Sequence, residues 1–243
     1  TTLYPATAPD IAADGETHTV LPLLIAHGLF GSGRNWGVIA RHLADRRDVI
    51  TVDMRNHGHS PRAPSQSYAD MAGDLAEVVA AQGGRVDLLG HSMGGKAAMQ
   101  LALAHPGLIR RLVVADIAPV AYSHDQSGHI QAMRGLDLSG APSRGEADRR
   151  LAAAVPDPAL RAFFLQSLDL KANPPQWRLN LDVLESEMPK IVGWPGTEGR
   201  FEHAALFLTG SESHYVKPEY REMIRALFPK ARFAQRPGAA PWL

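Results

Sequence analysis

The chain has 243 residues, 45% of them hydrophobic and 21% charged, the proportions of a globular protein with room for one large core or a core plus a modest insert. Its 25 basic residues balance its 25 acidic ones, and it has no long basic run, so nothing points to nucleic acid or an anionic membrane as a partner. Cysteine is absent, which excludes disulfides, thiolate metal sites and cysteine nucleophiles.

Taken in order, Thr1 to Thr19 lack the basic and then apolar pattern of a secretory leader, although the chain also begins without Met, as a processed or trimmed start would. No apolar run approaches the ~18 to 20 residues of a spanning helix, and cytoplasmic residence is the expectation. Leu21 to Ala26, Asp48 to Val52, Val86 to Leu89, Leu112 to Ala115 and Ala204 to Leu208 read as buried strands, with Ala231 to Arg236 a weaker candidate. Between them, Trp36 to Leu43, Tyr68 to Ala81 and Met93 to His105 have helical spacing, and Pro218 to Phe228 forms a last helical pattern. Short apolar strands alternating with helices predict an α/β fold with a mostly parallel sheet flanked by helices. The stretch from about Tyr122 to Trp194 breaks this rhythm, with helical patterns at 130–136, 146–154, 158–168 and 179–188 and little strand signal. It is too long for a connecting loop. We expect a helical cap over residues 122–194, inserted into a core formed by 1–121 and 195–243, at the sheet edge where open α/β folds bind ligands.

The Val86 to Leu89 strand runs into Gly90-His91-Ser92-Met93-Gly94-Gly95 and then a helix. A G-x-S-x-G between strand and helix forms a cramped turn that thrusts the serine hydroxyl into a pocket, and its glycines avoid collisions with the neighbouring strand and helix. Ser92 is therefore the candidate nucleophile. The first strand runs into His27-Gly28-Leu29-Phe30-Gly31-Ser32, a small-residue turn able to aim a backbone N–H at a substrate oxygen. Either Leu29 or Phe30 would supply it, with the N–H of Met93 as the second oxyanion donor. His27 is expected to brace this loop, and His91, which adjoins the serine, to point away from it as a buried packing or hydrogen-bonding residue.

With these motifs in place, the chain resembles the α/β-hydrolase superfamily, and within it the small bacterial carboxylesterases of the YbfF type. The resemblance is carried by HGLFGS at 27–32, VDMRNHGHSPR at 52–62, GHSMGGKA at 90–97, ADIAPV at 115–120, IVGW at 191–194 and AALF at 204–207. It implies an α/β-hydrolase fold acting without cofactor or metal on small-molecule esters of short acyl groups, and for some members thioesters. Such an enzyme needs a carboxylate to orient its histidine. Asp116 follows directly on the Leu112 to Ala115 strand, and the resemblance implies the same residue; Glu212, one strand later, is the competitor.

The resemblance also implies a histidine after the last strand, in a G-x-G-H-W-like stretch followed by one more helix. This chain reads Pro237-Gly238-Ala239-Ala240-Pro241-Trp242-Leu243, with Pro241 at the histidine position and no further helix. His214, His124 and His129 are the weaker substitutes. The pattern admits an active esterase with an altered tail, an enzyme with an unusual base, or a non-catalytic ligand-binding relative. Retention of Ser92, the oxyanion turn and Asp116 favours the first.

Overall fold

A computed structural model describes residues 1–8, 20–123, 126–140 and 143–238. Its centre is a seven-stranded sheet of β1 (Thr2–Tyr4), β2 (Leu23–Ala26), β3 (Val49–Val52), β4 (Val86–His91), β5 (Ile109–Ala115), β8 (Ala204–Gly210) and β9 (Ala231–Arg236), ordered β1-β3-β2-β4-β5-β8-β9. All pairings are parallel except that of β1 with β3. Every residue of β2 and β3 is buried, which is why these strands read as unbroken apolar runs. The order reverses at β2, so the loops leaving β2 and β4 converge at the carboxyl edge of the sheet.

The helices α1 (Gly37–Leu43), α2 (Tyr68–Ala81), α3 (Met93–Ala104) and α9 (Arg221–Leu227) cover this sheet. Ser67 caps α2 by accepting the Asp70 amide, and Met71, Leu75 and Val79 of that helix are fully buried at the predicted spacing. α3 is buried along almost its whole length, even at Lys96, because it packs between the sheet and the elements above it. The short β1 went unread in the sequence: three residues, two of them exposed, leave no apolar run to detect. β9 reads weakly for a related reason, since an edge strand exposed at four of its six positions shows little periodicity.

Between β5 and β8 the chain forms α4 (Ser127–Arg134), α5 (Arg144–Leu151), α6 (Pro158–Leu165), α7 (Leu181–Ser186) and α8 (Met188–Val192). The predicted helical pattern over 179–188 belongs to two helices that part at Glu187, where Pro189 lacks the N–H needed to continue one ladder. A two-residue hairpin, β6 (Leu168–Asp169) with β7 (Gln176–Trp177), adds strand structure that the composition did not announce.

Candidate active site

Backbone strain locates the site. Among the described residues, four non-glycines have positive φ: Phe30 at 63°, Asn56 at 64°, Ser92 at 50° and Asp116 at 56°. They lie in the turns that leave β2, β3, β4 and β5, at one edge of the sheet. Such conformations cost on the order of 1–3 kcal/mol each, and persist only where the surroundings fix them.

At the turn after β4, Ser92 caps α3 with ψ −118°. Its amide donates to the carbonyl of Ala115 at 3.0 Å, tying the turn to the end of β5. The flanking glycines are steric necessities. A Cβ on Gly90 would lie 2.3 Å from the Gly94 carbonyl oxygen, and one on Gly94 would lie 2.5 Å from the carbonyl oxygens of Ala26 and His27. Removing those atoms lets α3 start against the end of β2, with its unbonded N-terminal amides and positive dipole end beside Ser92.

Ser92 lines a cavity of about 310 Å³ with Leu29, Phe30, Trp36, Met93, Lys96 and Ile117 from the core, and Leu160, Phe163, Phe164, Ile191 and Val192 from the helices between β5 and β8. The lining is dominated by apolar side chains, as a site for an acyl chain requires.

Of the two candidate donors after β2, Phe30 gives its N–H to Nε2 of His57 at 3.2 Å. That amide is committed to the fold, which corrects the expectation that Phe30 could serve as donor. The Leu29 and Met93 amides take no hydrogen-bond acceptor among the described residues.

His27 and His57 form a buried bracing pair, with ring centroids 5.1 Å apart. Nδ1 of His27 donates to the Gly28 carbonyl at 2.7 Å while Nε2 accepts the Met54 amide at 2.9 Å. In His57, Nδ1 donates to the Arg55 carbonyl at 2.8 Å while Nε2 accepts from Phe30. Both nitrogens of each ring are thus occupied by the neutral form, which leaves no lone pair for a metal or for a serine proton. Burial, reinforced by His27, lowers the His57 pKa from 6.5 to about 3. The unfolded chain therefore binds a proton at His57 that the folded chain refuses. The stabilisation is complete above about pH 6.5 and is lost as pH falls toward 3, at up to ~1.4 kcal/mol per pH unit. Urea midpoints measured between pH 7 and 4.5 should fall along that slope, and His57→Gln, which keeps an acceptor, should flatten it by about one proton. An unchanged slope in the variant would refute this account.

Asp116 is 2% exposed at the end of β5. Its Oδ1 accepts the Thr209 hydroxyl at 2.9 Å, and the neighbouring Ser213 hydroxyl and Gly210 amide favour the charged carboxylate. Burial nevertheless raises its pKa above the ordinary 3.8, as befits a carboxylate without a cation at hand. Glu212 lies exposed in the turn beyond β8. Asp53 and Asp87 serve the scaffold: Asp53 accepts the Gly33 and His59 amides, and Asp87 pairs with Arg47 and Arg110.

Among the other histidines, His129 lines the cavity with Nδ1 2.7 Å from Gln126 Oε1, its ring 5.2 Å from Phe164, and burial lowers its pKa. His91 lines the cavity too, with its ring centroid 6.0 Å from Trp36. His214 is exposed and does not line the cavity. His124 and Pro241 lie outside the described residues. β9 runs beside β8 as far as Arg236, opposite Gly210, and Gly238 then donates its amide to Ser211 Oγ at 2.8 Å. The end of the described chain is thus held next to the residues that hold Asp116.

Residues that sequence reasoning passed over include Thr209, which holds Asp116, and Lys96, a cation inside the apolar helix that follows Ser92. A lone lysine within GGKAAMQLALA was the available signal.

A parallel sheet that reverses order beside a strained strand–serine–helix turn, opening on an apolar cavity, is the architecture of the α/β hydrolases. A model of the alpha/beta hydrolase fold matches residues 22–243, and the chain belongs to that family. It is 39% identical over 240 residues to the sn-1-specific diacylglycerol lipase ABHD11 of Mus musculus, covering 95% of this chain and 78% of the relative. It is also 39% identical over 230 residues to the esterase YbfF of Escherichia coli K12, covering 93% and 88%. A solved marine microorganism esterase superposes with a TM-score of 0.88 at 37% identity, covering 93% of this chain and 90% of that one. Among the described residues no helix is long and apolar enough to cross a membrane.

Proposed function

We propose that the protein is a serine-dependent carboxylic-ester hydrolase, acting in the cytoplasm on small esters of short acyl groups and on the corresponding thioesters. Ser92 Oγ attacks the acyl carbon and gives up its proton, the C–O or C–S bond breaks, and that proton ends on the departing alcohol or thiol. Water then attacks the acyl-enzyme, releasing the acid and restoring the serine. The amides of Leu29 and Met93 hold the oxyanion, each worth roughly 2.7–4 kcal/mol by mutational precedent. Asp116 is the carboxylate of the site, and residues 122–194 act as the cap that closes the cavity over the acyl group. The observation that carries this reading is Ser92 itself, held at φ 50° where it lines the apolar cavity.

Pro241 favours a second reading, a ligand-binding module on a hydrolase scaffold, because proline cannot take the serine proton. Mixing the chain with excess p-nitrophenyl butyrate separates the two. The hydrolase reading expects a burst of one equivalent of p-nitrophenolate followed by slower turnover, with one butyryl group added to the peptide that contains Ser92. Binding of the ester without any covalent adduct would leave only the binding module.

A further inference from the structure

Among the described residues, Lys96 is the largest side chain that is fully buried, at 1% exposure, and no carboxylate pairs with it. An ammonium in such surroundings is costly unless other dipoles replace its water. Here Nζ donates to the carbonyl of Val192 at 2.9 Å and to that of Gly193, and it lies 4.8 Å from the ring centre of Tyr122 and 5.6 Å from that of Tyr68. Burial brings its pKa down to about 7.

These contacts converge on both ends of the helical insert. The Tyr122 amide donates to the same Val192 carbonyl at 2.9 Å, which joins the segment entering the insert to the one leaving it. Tyr68, the first residue of α2, donates its hydroxyl to the Ile191 carbonyl. Three successive carbonyls, 191 to 193, are therefore held by the core, and two of them by the lysine four residues beyond Ser92. Ile191 and Val192 are also walls of the Ser92 cavity. Any slackening of this clamp moves apolar wall away from the site.

We propose that Lys96 is a positioning residue for acyl recognition: by holding the Val192 and Gly193 carbonyls it seats the insert over Ser92 and fixes the cavity wall against which a medium-length acyl chain packs. The inference rests on the hydrolase reading for its substrate and on the hydrogen bonds alone for the clamp. An acetyl group is too short to use that wall, whereas an octanoyl group depends on it.

The test compares wild type with Lys96→Met, which keeps an unbranched apolar stem and removes the donors. Losing hydrogen bonds of this kind should lower the second-order rate of Ser92 acylation by p-nitrophenyl octanoate about tenfold, and that by p-nitrophenyl acetate by a clearly smaller factor. Hydrogen exchange at the Tyr122 amide should quicken. Because the chain has no cysteine, Lys96→Cys can be aminoethylated in denaturant and refolded, beside a wild-type control, to place an ammonium back at position 96. This lysine-like side chain should restore both the octanoyl acylation rate and the slow exchange. Tyr68→Phe, a milder lesion at the neighbouring carbonyl, should shift both readouts in the same direction by less. Equal losses on both esters, no loss on either, or failure of the aminoethylated protein to recover while the control refolds would overturn the proposal. If wild type forms no acyl-enzyme at all, the hydrolase reading fails, and the clamp is then judged by Tyr122 exchange and by calorimetric binding of decanoate. Equal exchange and equal binding in wild type and Lys96→Met would sink it separately.

Discussion

Replacing Ser92 with alanine is expected to abolish the covalent adduct and the p-nitrophenolate burst while leaving the fold and its melting temperature nearly unchanged. The hydroxyl is the atom that would form the acyl bond, and in a complete serine-hydrolase site its removal costs on the order of 10⁶ in kcat. Alanine keeps a Cβ, so the strained backbone at φ 50°, ψ −118° must be held just as before. Ser92→Gly separates the two properties. It removes the same hydroxyl and should also raise stability by about 1 kcal/mol, because relief of roughly 1–3 kcal/mol of backbone strain exceeds the extra chain entropy of glycine, about 0.5–1 kcal/mol. Intact-mass measurement and thermal melts on the three proteins check both statements. An adduct that persists in Ser92→Ala would move the nucleophile elsewhere, and a glycine variant less stable than the alanine one would show that the turn is not strained.

That turn also marks where the sequence was most informative. Gly90, Ser92 and Gly94 announce their geometry because the backbone approaches too closely for any other residue at the two glycine positions, and the chemistry needs the hydroxyl between them. The parallel strands were legible for a different physical reason: burial on both faces demands continuous apolar runs, and β2 and β3 supply them along their whole length. Tertiary partnerships were less visible. Whether Leu29 or Phe30 presents a free amide depends on His57, 27 residues away from Phe30 and positioned by a separate strand. Similarly, Asp116 and Glu212 both follow strands in the sequence, and only the fold shows one carboxylate buried under Thr209 and the other facing solvent. Lys96 was hidden most completely. Its partners are backbone carbonyls almost a hundred residues further along the chain, and carbonyls leave no mark in a sequence.

Placing an imidazole at position 241 should have the opposite effect to the serine substitution, and a large one. General-base assistance is worth typically 10²–10⁴ in rate, and Pro241→His is expected to raise steady-state hydrolysis of p-nitrophenyl butyrate by at least about a hundredfold. The scaffold to receive that ring is already in place. Asp116 is buried with a raised pKa, a state that a neighbouring imidazolium relieves, and β9 brings the chain to Gly238 beside Ser211, two residues from Thr209, whose hydroxyl bonds Asp116. The gain should therefore follow the protonation of a histidine, rising with pH through about 6.5 as the ring becomes able to accept a proton. It should also depend on Asp116: in Pro241→His combined with Asp116→Asn most of the increase should vanish, whereas Asp116→Asn alone should change hydrolysis little. Such non-additivity is what two groups acting on one ring produce, and a structural effect of either substitution would not produce it. A folded Pro241→His protein with unchanged turnover would mean that no base is missing at this position, and would favour a cavity that binds its ligand and leaves it intact.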